Sequence, residues 1–334
     1  RFQAKFQKMN ATKLSPRSDL DRRLLLTNLA GELALYVDMN AFEKNPMVYA
    51  RALDLNLYVK RDFKPLDDRV RDIVSIEDQA GNIITAGKTN LAQVLPKPFV
   101  ELAIQIANGS ADFLEKDLAG AVKSVSDETL NAAFADSNKK AAAGLRDYAK
   151  WLTTERLPKA TAVFALGADK FQRFLAGTEL LDLPPTKILA LGLQRLQEEQ
   201  AAFAAAAKII DPKKSTVQVW AEVQKEHPKA GELIPEIAKD LDQIRQYVLD
   251  HHLVTIPSDV RANVTETPGF DRATSLAAMD APGPFEKKAT QAYYYITPPE
   301  STWTEEQKNQ WLTAFNYYTA DVVSIHEAYP GHYV

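Results

Sequence analysis

Apolar residues at helical spacing, interrupted at short intervals by proline or glycine, run through the first 250 residues of the chain. That pattern commits this part to a series of helices packed on one another. Leu20, Leu24, Leu25, Leu29, Leu33 and Val37 mark one such segment, entered through Ser18-Asp19 as an N-cap. A second helix starts behind Asn45-Pro46, with proline at its first position. Further helices are expected over 66–79, 98–107, 111–123, 127–156, 168–177, 185–210, 215–226 and 232–252. The alanine-rich run 201–207 is a strong helix former and no functional box.

The texture changes after Leu253. Leu253–Ile256 and Ala292–Ile296 are short, β-branched or aromatic, and bounded by prolines, so both read as strands. Residues 257–290, rich in proline and glycine, read as an irregular connection. The last helix enters through a Thr304/Gln307 capping box. Trp311, Phe315, Tyr318, Val322, Ile325 and Tyr329 then predict one continuous apolar stripe. The expected fold is mainly α: a helical region over 1–252, then a region over 253–334 with two short strands and the terminal helix.

Composition removes several function classes. With 40 Lys+Arg against 44 Asp+Glu the net charge is −4, and no dense basic run is present, which argues against a nucleic-acid partner. The absence of cysteine excludes disulfide scaffolds, thiolate metal sites and a cysteine nucleophile, leaving imidazole and carboxylate as metal ligands. No apolar run reaches the roughly 18–20 residues of a membrane span. The chain starts at Arg1 and stops at Val334, directly after its most chemically loaded stretch, and reads as a fragment. A removed signal peptide would place the protein in the periplasm or outside the cell. Oligomeric state is not legible.

That loaded stretch is His326-Glu-Ala-Tyr-Pro-Gly-His332. Two neutral imidazoles that bind a metal, with a carboxylate beside them to accept a proton from water, are what a zinc hydrolase requires. Helical zinc motifs space the two histidines by four. Here the spacing is six, which on a regular helix turns His332 about 120° away from His326. Pro330 has no N–H and Gly331 tolerates unusual backbone angles, so a broken turn is expected to return His332 to the metal. Val322, Thr319 and Phe315 upstream on the same face predict a buried, water-poor setting. The alternative is an ordinary Pro-Gly helix stop, with histidines favoured there by the helix dipole.

Other histidines and motifs carry less. His251-His252 and His227 read as helix-end surface residues. Gly87-Lys-Thr89 lacks the upstream glycine of a phosphate loop, and Ser137-Asn-Lys-Lys140 lacks the companion motifs of Ser-x-x-Lys enzymes, so it reads as chance on an exposed helix. Tyr293–Tyr295 read as a strand with aromatics on both faces, and no one of them is given a catalytic role.

The segment His326–Val334 resembles the signature His-Glu-x-x-Pro-Gly-His followed by His or Tyr of the bacterial domain of unknown function 885 family. Leu95-Pro-Lys-Pro-Phe99, Gly167–Leu175, Pro185–Glu199 and Tyr293–Pro298 extend the resemblance over most of the chain. That family looks like mostly helical, zincin-type metallopeptidases. The resemblance implies zinc as cofactor, His326 and His332 as its ligands, Glu327 as general base, and a peptide as substrate. Zincins take a third ligand from a later helix, and no such helix is present to receive it. The competing reading is a non-catalytic helical binding protein that keeps a degenerate metal site.

Overall fold

The computed structural model describes residues 1–334; the protein is mainly helical, with one small three-stranded sheet. No helix is long and apolar enough to cross a membrane. The chain divides into two compact units. One comprises residues 1–49, 85–103 and 150–206, the other residues 50–84, 104–149 and 207–334.

In the first unit the helix Pro16–Leu33 is capped by Ser15, whose Oγ accepts the Ser18 N–H, with Pro16 at the first helical position. It runs on into a π-helical turn, Ala34–Asp38, and packs against the helix Ala168–Thr178. The packing is close: a Cβ on Gly177 would stand 3.1 Å from that of Ala30. Leu20, Leu24, Leu25 and Val37 nevertheless remain exposed. The helix Pro185–Ile210 has the span its spacing predicts and buries only Ala207.

The second unit contains the features relevant to function. Where the sequence predicts two helices separated at Gly109, one helix, Lys97–Phe113, runs through it and continues as the turn Leu114–Leu118. The glycine serves a close approach and not a break: a Cβ there would meet the Gly269 carbonyl oxygen at 2.4 Å. Ser137 and Asn138, read from the sequence as exposed, are buried in the helix Glu128–Trp151. They are held inside by an acid. The Ser137 hydroxyl (2.6 Å) and the Asn138 amide (3.0 Å) donate to the two carboxylate oxygens of Glu77.

Glu77 is 2% exposed and has only neutral donors, so burial pushes its pKa up to about 7. A carboxyl held above its ordinary value binds its proton more tightly in the folded state. Stability therefore declines as pH rises from about 4.5 to about 7, by an amount on the order of 3 kcal/mol at most. In Glu77→Gln this decline should vanish, which denaturant unfolding at pH 5 and pH 8 measures. An unchanged pH dependence in the variant would contradict it.

The sheet consists of β1 (Asn263–Glu266), β2 (Ala277–Asp280) and β3 (Tyr293–Ile296) in the order β1-β3-β2. β3 pairs in parallel with β1 and antiparallel with β2. Its assignment follows the aromatic pattern. Tyr294 and Ile296 enter the core, while Tyr293 and Tyr295 stack on the other face at 5.9 Å. The strand expected at Leu253–Ile256 does not form. Leu253 and Val254 are exposed, and His252 turns the chain at φ +50° directly after the helix Leu233–Asp250. A strand with neither a partner nor a face to bury gains nothing. β1 and β2 lie instead in the stretch read as irregular. Both are four residues long, and β2 (Ala-Ala-Met-Asp) has no β-branched residue, so pairing with β3 decides its conformation.

The terminal helix is two helices. Glu305–Ala314 starts with the expected Thr304/Gln307 capping box and stops before Phe315. Asn316 then caps the second helix, Tyr317–Glu327, by accepting the Thr319 N–H at 3.1 Å. This restart rotates the expected stripe: Phe315 and Tyr329 are buried, but Tyr318, Val322 and Ile325 are exposed. The inward face carries Ala320, Ser324 and Ala328. These small side chains face the helix Leu233–Asp250 and the sheet, and the Tyr294 side chain reaches from β3 to Ser324, its hydroxyl meeting Ser324 Oγ at 3.1 Å. Burial pushes the Tyr294 pKa up to about 12, so it remains a neutral hydrogen-bonding group. The core around it is completed by Leu233, Ile237, Leu241 and Val248, at helical spacing on Leu233–Asp250.

Candidate metal centre

The helix Tyr317–Glu327 ends inside the motif, and its last carbonyls have no partners within the helix. The chain supplies them by doubling back. The His332 N–H donates to the His326 carbonyl at 3.0 Å, and the Tyr333 N–H donates to that of Glu327 at 3.1 Å. Pro330, joined to Tyr329 by a cis peptide bond, has no N–H to contribute. Gly331 allows the return. A Cβ there would lie 1.7 Å from the His326 carbonyl oxygen and 2.6 Å from that of Ile325.

The consequence is that histidines six residues apart meet. His326 Nε2 and His332 Nε2 are 3.1 Å apart, with the ring planes perpendicular. One nitrogen from each ring and one carboxylate oxygen of Glu327 all lie within 4.8 Å of one another. Glu327 is held in place from the sheet, because its Oε2 accepts the Met279 N–H at 3.1 Å. Residues 276 and 297 form a hydrogen-bonded ladder pair, with Thr297 N–H donating to the Leu276 carbonyl. By alternation the Met279 amide then points away from β3, along the free edge of β2. The motif thus abuts a sheet edge.

A zinc ion fits this donor set. Two imidazole nitrogens each about 2.05 Å from one tetrahedral ion are about 3.3 Å apart, close to the separation of the two Nε2 atoms. The same approach also allows a direct N–H···N hydrogen bond when one ring carries the proton. The setting is more open than the sequence suggests. His326 and His332 are exposed and Glu327 is half-buried, and Val322, expected to cover the site, is 67% exposed. The helix restart at Asn316 is the cause.

The remaining candidates do not join this cluster. His251 packs its ring on Tyr247 at 4.1 Å, and His227 Nδ1 lies 3.0 Å from the Pro228 carbonyl. Gly87 is inside the helix Ala80–Asn90, against the Tyr49 side chain, and forms no phosphate loop. Two participants escaped sequence reading. Met279 acts through its backbone, which no side-chain pattern reveals. Ser324 belongs to no motif, although its place four residues from both Ala320 and Ala328 marks a small-residue face.

Comparison with known proteins adds fold and family. The model of a bacterial protein family of unknown function, DUF885, matches residues 1–334. Among curated proteins there is no match. A solved structure described as "a putative lipoprotein of unknown function from Shewanella oneidensis" is similar at 21% identity and a TM-score of 0.68. The similarity covers 99% of this chain and 62% of that one, so the chain spans less than two thirds of the length of its solved relative. At that identity the likeness concerns the fold.

Proposed function

The chain belongs to DUF885, a bacterial family of unknown function, and we propose that this member carries the metal site of a zinc-dependent, peptidase-like hydrolase. The observation that supports the reading is the convergence of His326, His332 and Glu327 through a backbone return that only glycine at 331 permits. His326 and His332 would hold the metal through their imidazole nitrogens. Zinc, when bound, acidifies water and polarises a carbonyl. Glu327, oriented by the Met279 N–H, takes a proton from water as its oxygen attacks a peptide carbonyl carbon. It then gives that proton to the departing amine nitrogen, so the water is divided between the two products. The outer edge of β2 lies beside Glu327, and an extended peptide adding to a strand gains main-chain hydrogen bonds, although the Met279 N–H of this edge is already given to Glu327. In this reading the two imidazoles need a third ligand, and the cluster in these 334 residues comprises only His326, Glu327 and His332.

The second reading, a binding protein with a degenerate metal site, draws on the exposure of both histidines and the direct approach of their rings. A peptide-library digest with the full-length protein separates the two. Cleavage that stops on chelation and returns with zinc supports the hydrolase. A zinc-loaded protein that cleaves no peptide supports the binding module.

A further inference from the structure

A cavity of about 350 Å³ opens within the first unit, and no residue of the histidine motif lines it. Ligand pockets run from roughly 300 to 1,000 Å³, so it has room for one small molecule. Its body is apolar, built from Leu35, Met39, Phe99, Val163 and Phe164. Val163 and Phe164 are 76% and 62% exposed, so this apolar surface is open to an incoming molecule. The backbone around it departs from regular helix. The π-helical turn Ala34–Asp38 carries Leu35 and Asp38 into the wall, and Asn40 at φ +51° redirects the chain into the short helix Ala41–Lys44. Single π-helical turns and left-handed non-glycine residues concentrate at functional sites.

Two adjacent residues bring polar groups to this wall, and both groups are available. The Lys44 side chain is exposed, and its ammonium has neither an ion pair nor a hydrogen bond. Asn45 is half-buried, and its Oδ1 accepts the Met47 N–H at 3.0 Å. That bond fixes the orientation of the amide and leaves both Nδ2 hydrogens unused, on an atom that solvent reaches. Lys170 also lines the cavity, with one ammonium hydrogen donated to the Asp38 carbonyl at 2.6 Å. Asp38, the one acid on the wall, has its carboxylate 3.3 Å from Arg173. Two lysines against one acid that is already paired leave the wall positive.

We infer that this cavity binds an apolar monocarboxylate. The Lys44 ammonium and the Asn45 amide receive the carboxylate, Lys170 adds positive field, and the apolar part lies against Leu35, Met39, Phe99 and Phe164. The Asp38 carboxylate disfavours a dianion such as a phosphate monoester. A medium-chain aliphatic acid and the C-terminus of an apolar peptide share this chemistry. The proposal stands on the cavity alone and does not depend on zinc.

Calorimetric titration of the 334-residue chain with octanoate, octanamide, acetate, octyl phosphate and N-acetyl-Leu-Leu tests it. Octanoate should bind at least about tenfold more tightly than octanamide, because charge-assisted hydrogen bonds are lost with the charge. It should exceed acetate by at least about tenfold as well, through the methylenes it buries. Lys44→Gln should weaken octanoate binding at least about tenfold and melt with the parent, since the ammonium has no partner in the protein to lose. Asn45→Asp should weaken it at least as much: the new carboxylate can still accept the Met47 N–H but repels the ligand. The tighter binder of octanoate and N-acetyl-Leu-Leu identifies the source of the acid. Octanamide or acetate binding as tightly as octanoate, octyl phosphate binding more tightly, no saturable binding of either acid, or parent-like binding in both variants would each overturn the proposal.

Discussion

Glu327→Gln in the full-length protein should lower peptide cleavage by about 10²–10⁴-fold and leave zinc content unchanged. The amide has nearly the shape of the carboxylate, and its oxygen can still accept the Met279 N–H, so the side chain remains where it is. What it loses is the ability to take a proton. Because His326 and His332 hold the metal in this account, the loss should appear in kcat, with KM and metal affinity close to the parent values. Library digestion and metal analysis of the same preparations read both quantities. Cleavage within about threefold of the parent would remove Glu327 from the chemistry. A large fall in zinc content would make it a ligand instead of a base.

Gly331→Ala should be as damaging by another route. The added Cβ would sit 1.7 Å from the His326 carbonyl oxygen, with the carbonyl carbon at 2.2 Å, and both are backbone atoms of the residue that must bind the metal. No side-chain rearrangement relieves that overlap. The chain has to open, the His332 N–H to His326 carbonyl bond breaks, and the two Nε2 atoms separate. Zinc affinity should fall at least about 100-fold, beyond the usual effect of losing a supporting hydrogen bond. Stability should fall by about 3 kcal/mol, because the return also carries the buried Tyr329. Chelator competition and denaturant unfolding measure the two effects. Parent-like zinc affinity in this variant would mean that the return is not what brings the histidines together.

The sequence carried the helices well, because their signals are local. The cap at Thr304, the span Pro185–Ile210 and the aromatic pattern of β3 can each be read within a short window. The return of His332 was also legible, since Pro330 and Gly331 state what the backbone can and cannot do there. The burial of the site was not. Asn316 interrupts an otherwise continuous apolar stripe and acts as a cap, and a single restart turned Val322 and Ile325 outward. β2 was missed because its conformation comes from β3 and not from its own residues. The same reason hid the Met279 contact to Glu327, and it explains why Gly109 looked like a helix end when it accommodates Gly269.

Zinc binding by the 334-residue chain itself tests the central claim most directly. Two imidazoles are an incomplete donor set, so the affinity should be weak, but the site should be single and specific. Competition against a chelator of graded strength should detect one zinc per chain, and the site should be lost in both His326→Ala and His332→Ala while helix content is kept. Zinc bound equally by the parent and both variants, or not bound by the parent at any concentration reached, would contradict the account.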